Sequence, residues 1–593
     1  MKHRVLLAFV LSLVAVLIAL EDGGLSLGLS KAQAQPGEGS LAVTASSPNG
    51  PDVVRLMGPV CVNTDLRDLP YIPPTPQILK RRVTRYPWVD TGAPPTDASR
   101  FMQFPSLIAE ILRPVPMMPP PSVTIEGISY AEGEGLPPDT NGDVGPNHYV
   151  QAVNSAFKVF DKNGNTLSGP TTFNSFFAPL GPSTPCGLSQ DKTDPFVLYD
   201  QMADRWVITD YAKDFDQTMF WECIGVSQTG DPVAGWCLYA LQADPANPSL
   251  EGDYPKYGLW PDAYYLTADE PSAAGGVVGV RVYALDRASM IAGGPTNAVG
   301  FTIDRTTLGT AHSLVPAGFR TGAPPPAGRQ EFLLGIDDPA EGVTETHVKG
   351  WLFHVDFVTP ANSTLGIGAN HAPNAEITVN GFVEAPDIIP QQGTRVKLDS
   401  LGNRMMTPVV YQNRNGTESL WADHTIVLNY PNGPTAIRWY QFDVTGGNFP
   451  VTPVQQQNWS NGNDGLWRWM PSIAVDVNGN TAIGYSTSSA SMFPGIRYAG
   501  RFATDPLNSL GQGEALMTNS GGAVTEIGRW GDYSMTTVDS TDGVGFWHTN
   551  EYFRTTERLA WSTRIGKFQF PAPGSRSTPT PRPHPTETPR HSP

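Results

Sequence analysis

Acidic residues recur at matching points of a repeated strand–turn–strand pattern. Asp194, Asp253 and Asp532 stand where an apolar strand begins, and Asp210, Asp269, Glu270 and Glu551 stand where the following aromatic strand ends. Antiparallel pairing sets the start of one strand beside the end of the next, so these acids belong to one edge of their sheets. Carboxylates gathered there have three uses. Each can bond the backbone of its own turn and tie neighbouring sheets through arginine. Several together can hold a hard cation with oxygen ligands. Two of them about 5–10 Å apart can divide the proton-donor and nucleophile or base roles on a glycoside. For that last chemistry Asp532 and Glu551 are the acid pair. Arg468 and Arg529 would orient an anionic substrate by bidentate hydrogen bonds, with Arg404 in the corresponding place before Pro408.

Ca²⁺ is the one cofactor these residues suggest. Asp139, Asn141 and Asp143 place oxygens at alternating positions, as the first half of a calcium loop does, although Val150 stands where the closing glutamate belongs. Asp194, Asp253 and Asp532 are the ligands expected at the sheet edge, and a hydrogen-bonded turn is the competing use of the Asp139 segment. Trp469 and Trp530, with Trp459 and Trp467 near them, offer faces for sugar stacking or filling for the gaps between sheets. No HExxH, GxSxG or GxxxxGK[ST] occurs, so neither a zinc peptidase nor a serine hydrolase nor a P-loop is signalled.

The elements that must position these residues are short strands. Asp194–Asp200 turns at 201–204 into Arg205–Tyr211, and Asp253–Leu259 turns at 260–263 into Tyr264–Glu270. Pro471–Asp476 turns through Val477-Asn478-Gly479-Asn480 into Thr481–Ser486, and Asp532–Val538 turns at 539–543 into Val544–Tyr552. Weaker copies begin near His148, Glu331 and Pro408. Starts spaced by roughly 50–75 residues suit four-stranded blades, which predicts an all-β chain: a β-propeller of about seven blades, with six as the alternative and separate β-sandwiches as the competing fold.

The Asp-x-Asn-Gly-Asn turns at Asp161–Asn165 and Asp476–Asn480 carry a resemblance, as does Arg529-Trp530-Gly531-Asp532-Tyr533-Ser534 with its aromatic second strand. Over most of 122–570 the chain resembles secreted bacterial β-propellers of the sialidase or Asp-box type. A strict Ser-x-Asp-x-Gly-x-Thr-Trp box is absent. The resemblance implies the fold. For a sialidase it would also imply an arginine triad and a Tyr/Glu nucleophile pair, which match no individual residues of this sequence.

Composition sets the frame. Of 593 residues, 39 are Lys or Arg and 56 Asp or Glu, a net charge of −17, which excludes a partner bound by its phosphates, whether nucleic acid or anionic membrane. With 60 Gly and 57 Pro there is little room for long helices. Residues 1–34 read as an export signal: a basic start, an apolar run from Val5 to Leu20 and the small-x-small site Ala32-Gln33-Ala34. Residues 35–121 read as an irregular Pro-rich extension with a basic run (Lys80, Arg81, Arg82, Arg85) and a short helix over Ser106–Leu112. The propeller is expected over 122–570, and 571–593 as a Pro/Thr-rich loose tail. Cys223 and Cys237 flank a hairpin centred on Gly230 and are positioned for a cross-strand bridge; pairing with Cys186, or buried thiols, are the alternatives. The sum is a monomeric, extracellular or cell-surface propeller that binds a glycan, protein or cation without turnover, or alternatively a glycoside hydrolase using the acids at that edge.

Overall fold

Runs of β-branched and aromatic residues broken by Gly, Pro, Asn and Asp make strands short and numerous. A computed structural model describes residues 44–45, 50–74 and 117–571, apart from 189–191, 215, 217, 273–275, 463, 526 and 558–559. The segments expected to form the export signal, the basic run, the helix at 106–112 and the tail beyond residue 571 lie outside the described residues.

The strands form six hydrogen-bonded sheets, nearly all antiparallel. Their leading strands are β1 (Asn141–Val144), β2 (Lys192–Asp200), β3 (Asp253–Leu259), β4 (Ala311–Gly322), β5 (Val409–Arg414), β6 (Trp467–Val475) and β7 (Met535–Val538). Each pairs antiparallel with the strand that follows it, and β4 and β5 also pair with each other in parallel, which joins two antiparallel sets into a nine-stranded sheet. The leading strands touch one another in chain order and β7 touches β1, so the ring closes. This is a β-propeller with its leading strands innermost. Two expected starts shift. His148 opens a second strand whose partner is β1, and Glu331 opens the second strand behind β4.

Core side chains fill the gaps between consecutive sheets. Phe196 and Leu198 on β2 pack with Tyr257 and Leu259 on β3, for example. The last sheet takes three strands, β7, Gly545–Phe553 and Trp561–Gln569, from the C-terminal part and a fourth, Val123–Ser129, from the N-terminal part.

The N-terminal extension is more ordered than its Pro-rich composition predicts. Asp52–Arg55 pairs with the outer strand Asn297–Asp304, and Met57–Val62 with the outer strand Trp236–Gln242. Further on, the Ile72 N–H donates to Ser175 Oγ at 2.7 Å. The extension therefore runs around the perimeter against the chain order of the sheets.

The disulfides correct the expected hairpin bridge. Cys61 bonds Cys237 and Cys186 bonds Cys223. In the hairpin, Cys237 lies opposite Val226 and Cys223 opposite Ala240, an offset of three that points the two sulfurs to opposite faces of the sheet. Cys61 sits directly across from Cys237 because the extension adds a strand there. Among the described residues no helix is long and apolar enough to cross a membrane.

Candidate functional site

All leading strands run the same way, so their starts share one mouth of the axial channel. A local irregularity shapes that mouth. Asp194, Tyr254, Ser313 and Met470, on β2, β3, β4 and β6, have φ of 55°, 56°, 48° and 47°, and each lies at a register slip against the second strand. Left-handed backbone at non-glycine residues is costly and is kept where the surroundings enforce it. Here the preceding sheet does so. Asn154 Oδ1 accepts the Asp194 N–H (2.9 Å), Asp269 Oδ1 that of Ser313 (2.6 Å) and Thr425 Oγ1 that of Met470 (3.0 Å). Side chains at the ends of second strands thus fasten these sheets to the next, Asp269 through a backbone N–H of Ser313 rather than through the arginine expected.

Three carboxylates converge at the mouth. One oxygen from each of Asp139, Asp194 and Asp532 lies within 4.8 Å of the others, and all three residues are buried. Asp139 Oδ1 accepts the Asp532 N–H at 2.6 Å, and its Oδ2 accepts Asn154 Nδ2. Burial, reinforced by Asp532 and Asp194, pushes the Asp139 carboxyl well above the usual range. Glu551 stands beside them, with Oε1 accepting the Gly531 N–H at 2.6 Å. The packing there is close: a Cβ at Gly531 would sit 3.3 Å from both the Asp139 nitrogen and Glu551 Oε1. Burial raises the Glu551 carboxyl too.

The cations of the mouth are Arg529, Lys256 and Arg404. Arg529 bridges Asp399, at 2.7 Å, and Asp532. Burial opposes its charge, but Asp532, Asp399 and Asp139 hold the guanidinium pKa well above its ordinary value. Asp399 is itself pushed by burial to about 7, against the pull of Arg529. Lys256 Nζ lies 3.3 Å from the ring centre of Tyr254 and 4.3 Å from that of Tyr533, and donates to the Pro255 carbonyl. Burial lowers it to about 8, with Asp194 and Asp532 opposing. Arg404 stacks over Tyr254 at 4.4 Å and donates to Asn403, which in turn donates to Asp338. Asp338 also flanks the buried His312, whose other nitrogen faces Asp269 at 3.1 Å. Burial would lower this imidazole, but the two carboxylates outweigh it and raise its pKa.

A cavity of about 20 Å³ lies between Leu198, Tyr257, Val410 and Met535, space for about one water. At the far ends of the leading strands Arg320 pairs with Asp143 and donates to the Tyr199 carbonyl.

Several expected site residues lie elsewhere. Asn141 and Asp143 do not curl around an ion with Asp139. They are extended in β1, where Asn141 Oδ1 accepts the Val197 N–H and Asp143 Oδ2 the Tyr199 N–H of β2. Asp253 lies outside the group of converging carboxylates. Arg468 points along its own sheet to Glu514 on the outermost strand, at 2.9 Å, and to Asp464. Trp469 and Trp530 are fully buried and pack edge-to-face at 5.6 Å, which leaves no ring face for a sugar. Sequence reasoning missed Asn154, Lys256, His312 and Asp399. Lys256 left a trace, a lone charge inside the apolar run of β3; Asn154 and Asp399 left none.

No known family profile and no curated protein matches the chain. Similar solved structures include a thermostable family-43 glycoside hydrolase at 13% identity, covering 67% of this chain and 96% of that one with a TM-score of 0.27. The native arabinanase of Bacillus subtilis is 13% identical over 54% of this chain and 99% of its own, at a TM-score of 0.26. A Trypanosoma rangeli sialidase mutant displaying trans-sialidase activity is 10% identical over 63% and 53%, at 0.29, and the Dos1 propeller 7% identical over 71% and 75%, at 0.31. Likenesses this distant carry no argument about activity, and the assignment as a β-propeller rests on the closed ring of sheets.

Proposed function

We propose that the chain is an exported, non-catalytic β-propeller that binds an extracellular glycan or protein through the face where its leading strands begin. One observation carries the non-catalytic part. Asp532 is 6% exposed and ion-paired to Arg529, and Glu551 is 2% exposed. A glycosidase needs both acids against the sugar, with space between them for the bond to be cut. Buried acids tied into the mouth are framework. The net charge of −17 supports a ligand that is neutral or basic. The same reading takes residues 1–34 as the export signal, counts the parallel-joined sheet as two blades to make seven, and treats the protein as a monomer. The two disulfides accord with an oxidising destination.

The test is a panel of chromogenic glycosides, sialosides included, beside a glycan array. The expected result is no turnover, with wild type and Glu551→Gln alike at the blank. Turnover by the wild type that Glu551→Gln abolishes would establish the hydrolase instead.

A further inference from the structure

The axial mouth gathers five carboxyl groups, Asp139, Asp194, Asp532, Glu551 and Asp399, around Arg529, which bridges two of them, Lys256, whose ammonium lies against the rings of Tyr254 and Tyr533, and Arg404, which stacks over Tyr254. An acidic cluster alone proves little, since carboxylates satisfied by backbone N–H groups are ordinary framework. Glu551 differs: its Oε2 is buried and makes no hydrogen bond, although its Oε1 is satisfied by Gly531. That carboxylate stands next to the cluster. Its Oε1 and Asp139 Oδ1 lie 3.3 and 3.4 Å from the one point where a Gly531 side chain would begin. A buried acceptor without a partner is costly, so the Glu551 Oε2 has capacity for a ligand beside the cluster.

We propose that Asp139, Asp194 and Asp532 bind one hard divalent cation, Ca²⁺, at the axial mouth, with Glu551, which stands just outside their 4.8 Å group, turning its unbonded oxygen in as a fourth donor. The donor set is all oxygen, which suits Ca²⁺ or Mg²⁺ and disfavours thiolate- and imidazole-seeking metals. Ca²⁺ takes ligands at about 2.3–2.6 Å, so donors on opposite sides of one ion stand up to about 5 Å apart. The three aspartate oxygens, all within 4.8 Å of one another, are close to the span of such a sphere, on which three equidistant donors stand at most about 4.5 Å apart, so a small inward shift completes the fit. The four carboxylates arrive from different parts of the ring: before β1, on β2, before β7 and on the second strand behind β7. Mg²⁺ asks for a tight octahedron and keeps several waters, which a mouth this buried does not readily supply. A bound ion would link sheets far apart in sequence, and its site is independent of whether a macromolecular ligand docks on the same face.

The experiment uses the full purified chain and Ca²⁺ itself. After unfolding in EDTA and refolding with excess Ca²⁺, then desalting, elemental analysis is expected to find one calcium per chain. Chelation of the native protein is expected to lower its Tm by several degrees, which added Ca²⁺ restores and added Mg²⁺ does not. In calorimetric titration Glu551→Gln and Asp194→Asn are each expected to weaken Ca²⁺ binding at least tenfold. Tb³⁺ in place of Ca²⁺ should luminesce when Tyr254 and Tyr533 are excited, and Tyr533→Phe should dim it with the fold intact. No retained calcium in refolded wild type overturns the proposal, and so does a folded Asp194→Asn/Glu551→Gln variant that binds as tightly as wild type. Should the variants not fold, the calcium content and chelator response of the wild type decide alone.

Discussion

Two turns of this protein share a sequence pattern and differ in their electrostatics. Asp161-Lys162-Asn163-Gly164-Asn165 and Asp476-Val477-Asn478-Gly479-Asn480 fold identically. In each, the aspartate Oδ1 accepts two backbone N–H groups, Oδ2 accepts the last asparagine's side chain, and glycine takes a φ of 94° or 82°. In the first turn, which is open to solvent, those hydrogen bonds lower the carboxyl pKa. In the second the same bonds are present, yet burial outweighs them and raises it. Gln412 donates to the Asp476 carbonyl and Val477 to Gly543 of the next sheet, so neighbouring sheets cover that turn. Local sequence sets the hydrogen bonds; the packing of other sheets sets the sign of the shift. The axial acids are the extreme of the second case.

The largest expected effect lies at that extreme. Arg529→Met leaves Asp399 and Asp532 buried without their cation and should cost about 3–5 kcal/mol in denaturant unfolding. A loss under about 1 kcal/mol would mean the mouth behaves like the open turn. Next comes the pH dependence. Glu222, pushed by burial to about 8 although it accepts the Tyr257 hydroxyl, keeps its proton in the folded chain where the unfolded chain has lost it. Asp399, at about 7, does the same. At these two sites the folded state then binds more protons, so their stabilisation is fully present below about pH 4 and is lost as pH rises through about 7 and 8. Each such group contributes at most about 1.4 kcal/mol per pH unit, and Glu222→Gln should flatten the Tm–pH curve over that window. Asp161 has the opposite signature: its contribution is present above its unfolded pKa and fades as pH falls through the lowered folded value. Last, Asp476→Ala should cost about 1–2 kcal/mol, because it leaves buried amides unsatisfied, and Asp161→Ala less, because water replaces the carboxylate. Equal losses would erase the contrast between the turns.

The same contrast explains what could be read from the sequence. Both glycine turns were legible, since every partner lies within four residues. So were the hairpins beginning at Asp194 and Asp253 and the idea that strand starts share one mouth, because these follow from spacing. Asp194 and Asp532 do meet there. Their third partner, Asp139, was assigned to a loop with Asn141 and Asp143, because alternating oxygens look the same in a calcium loop and in an extended strand. β4 carries no start signal, because it opens on Ala311-His312-Ser313 without the aspartate or proline that marks other starts. Cys61 and Cys237 are 176 positions apart, and nothing local announces a perimeter strand. Trp469 and Trp530 have the composition of a sugar platform, and only tertiary packing shows them to be core.

The perimeter course of the N-terminal extension governs when the molecule can be finished. Residues 52–55 cannot find their place until 297–304 exist, and 123–129 must wait for 561–569. These early segments are therefore among the last to settle. Until the final hairpin emerges, the opening sheet has no neighbour on one side and the edge that receives 123–129 has not been made. A chain built in this way closes its ring in one late, cooperative step.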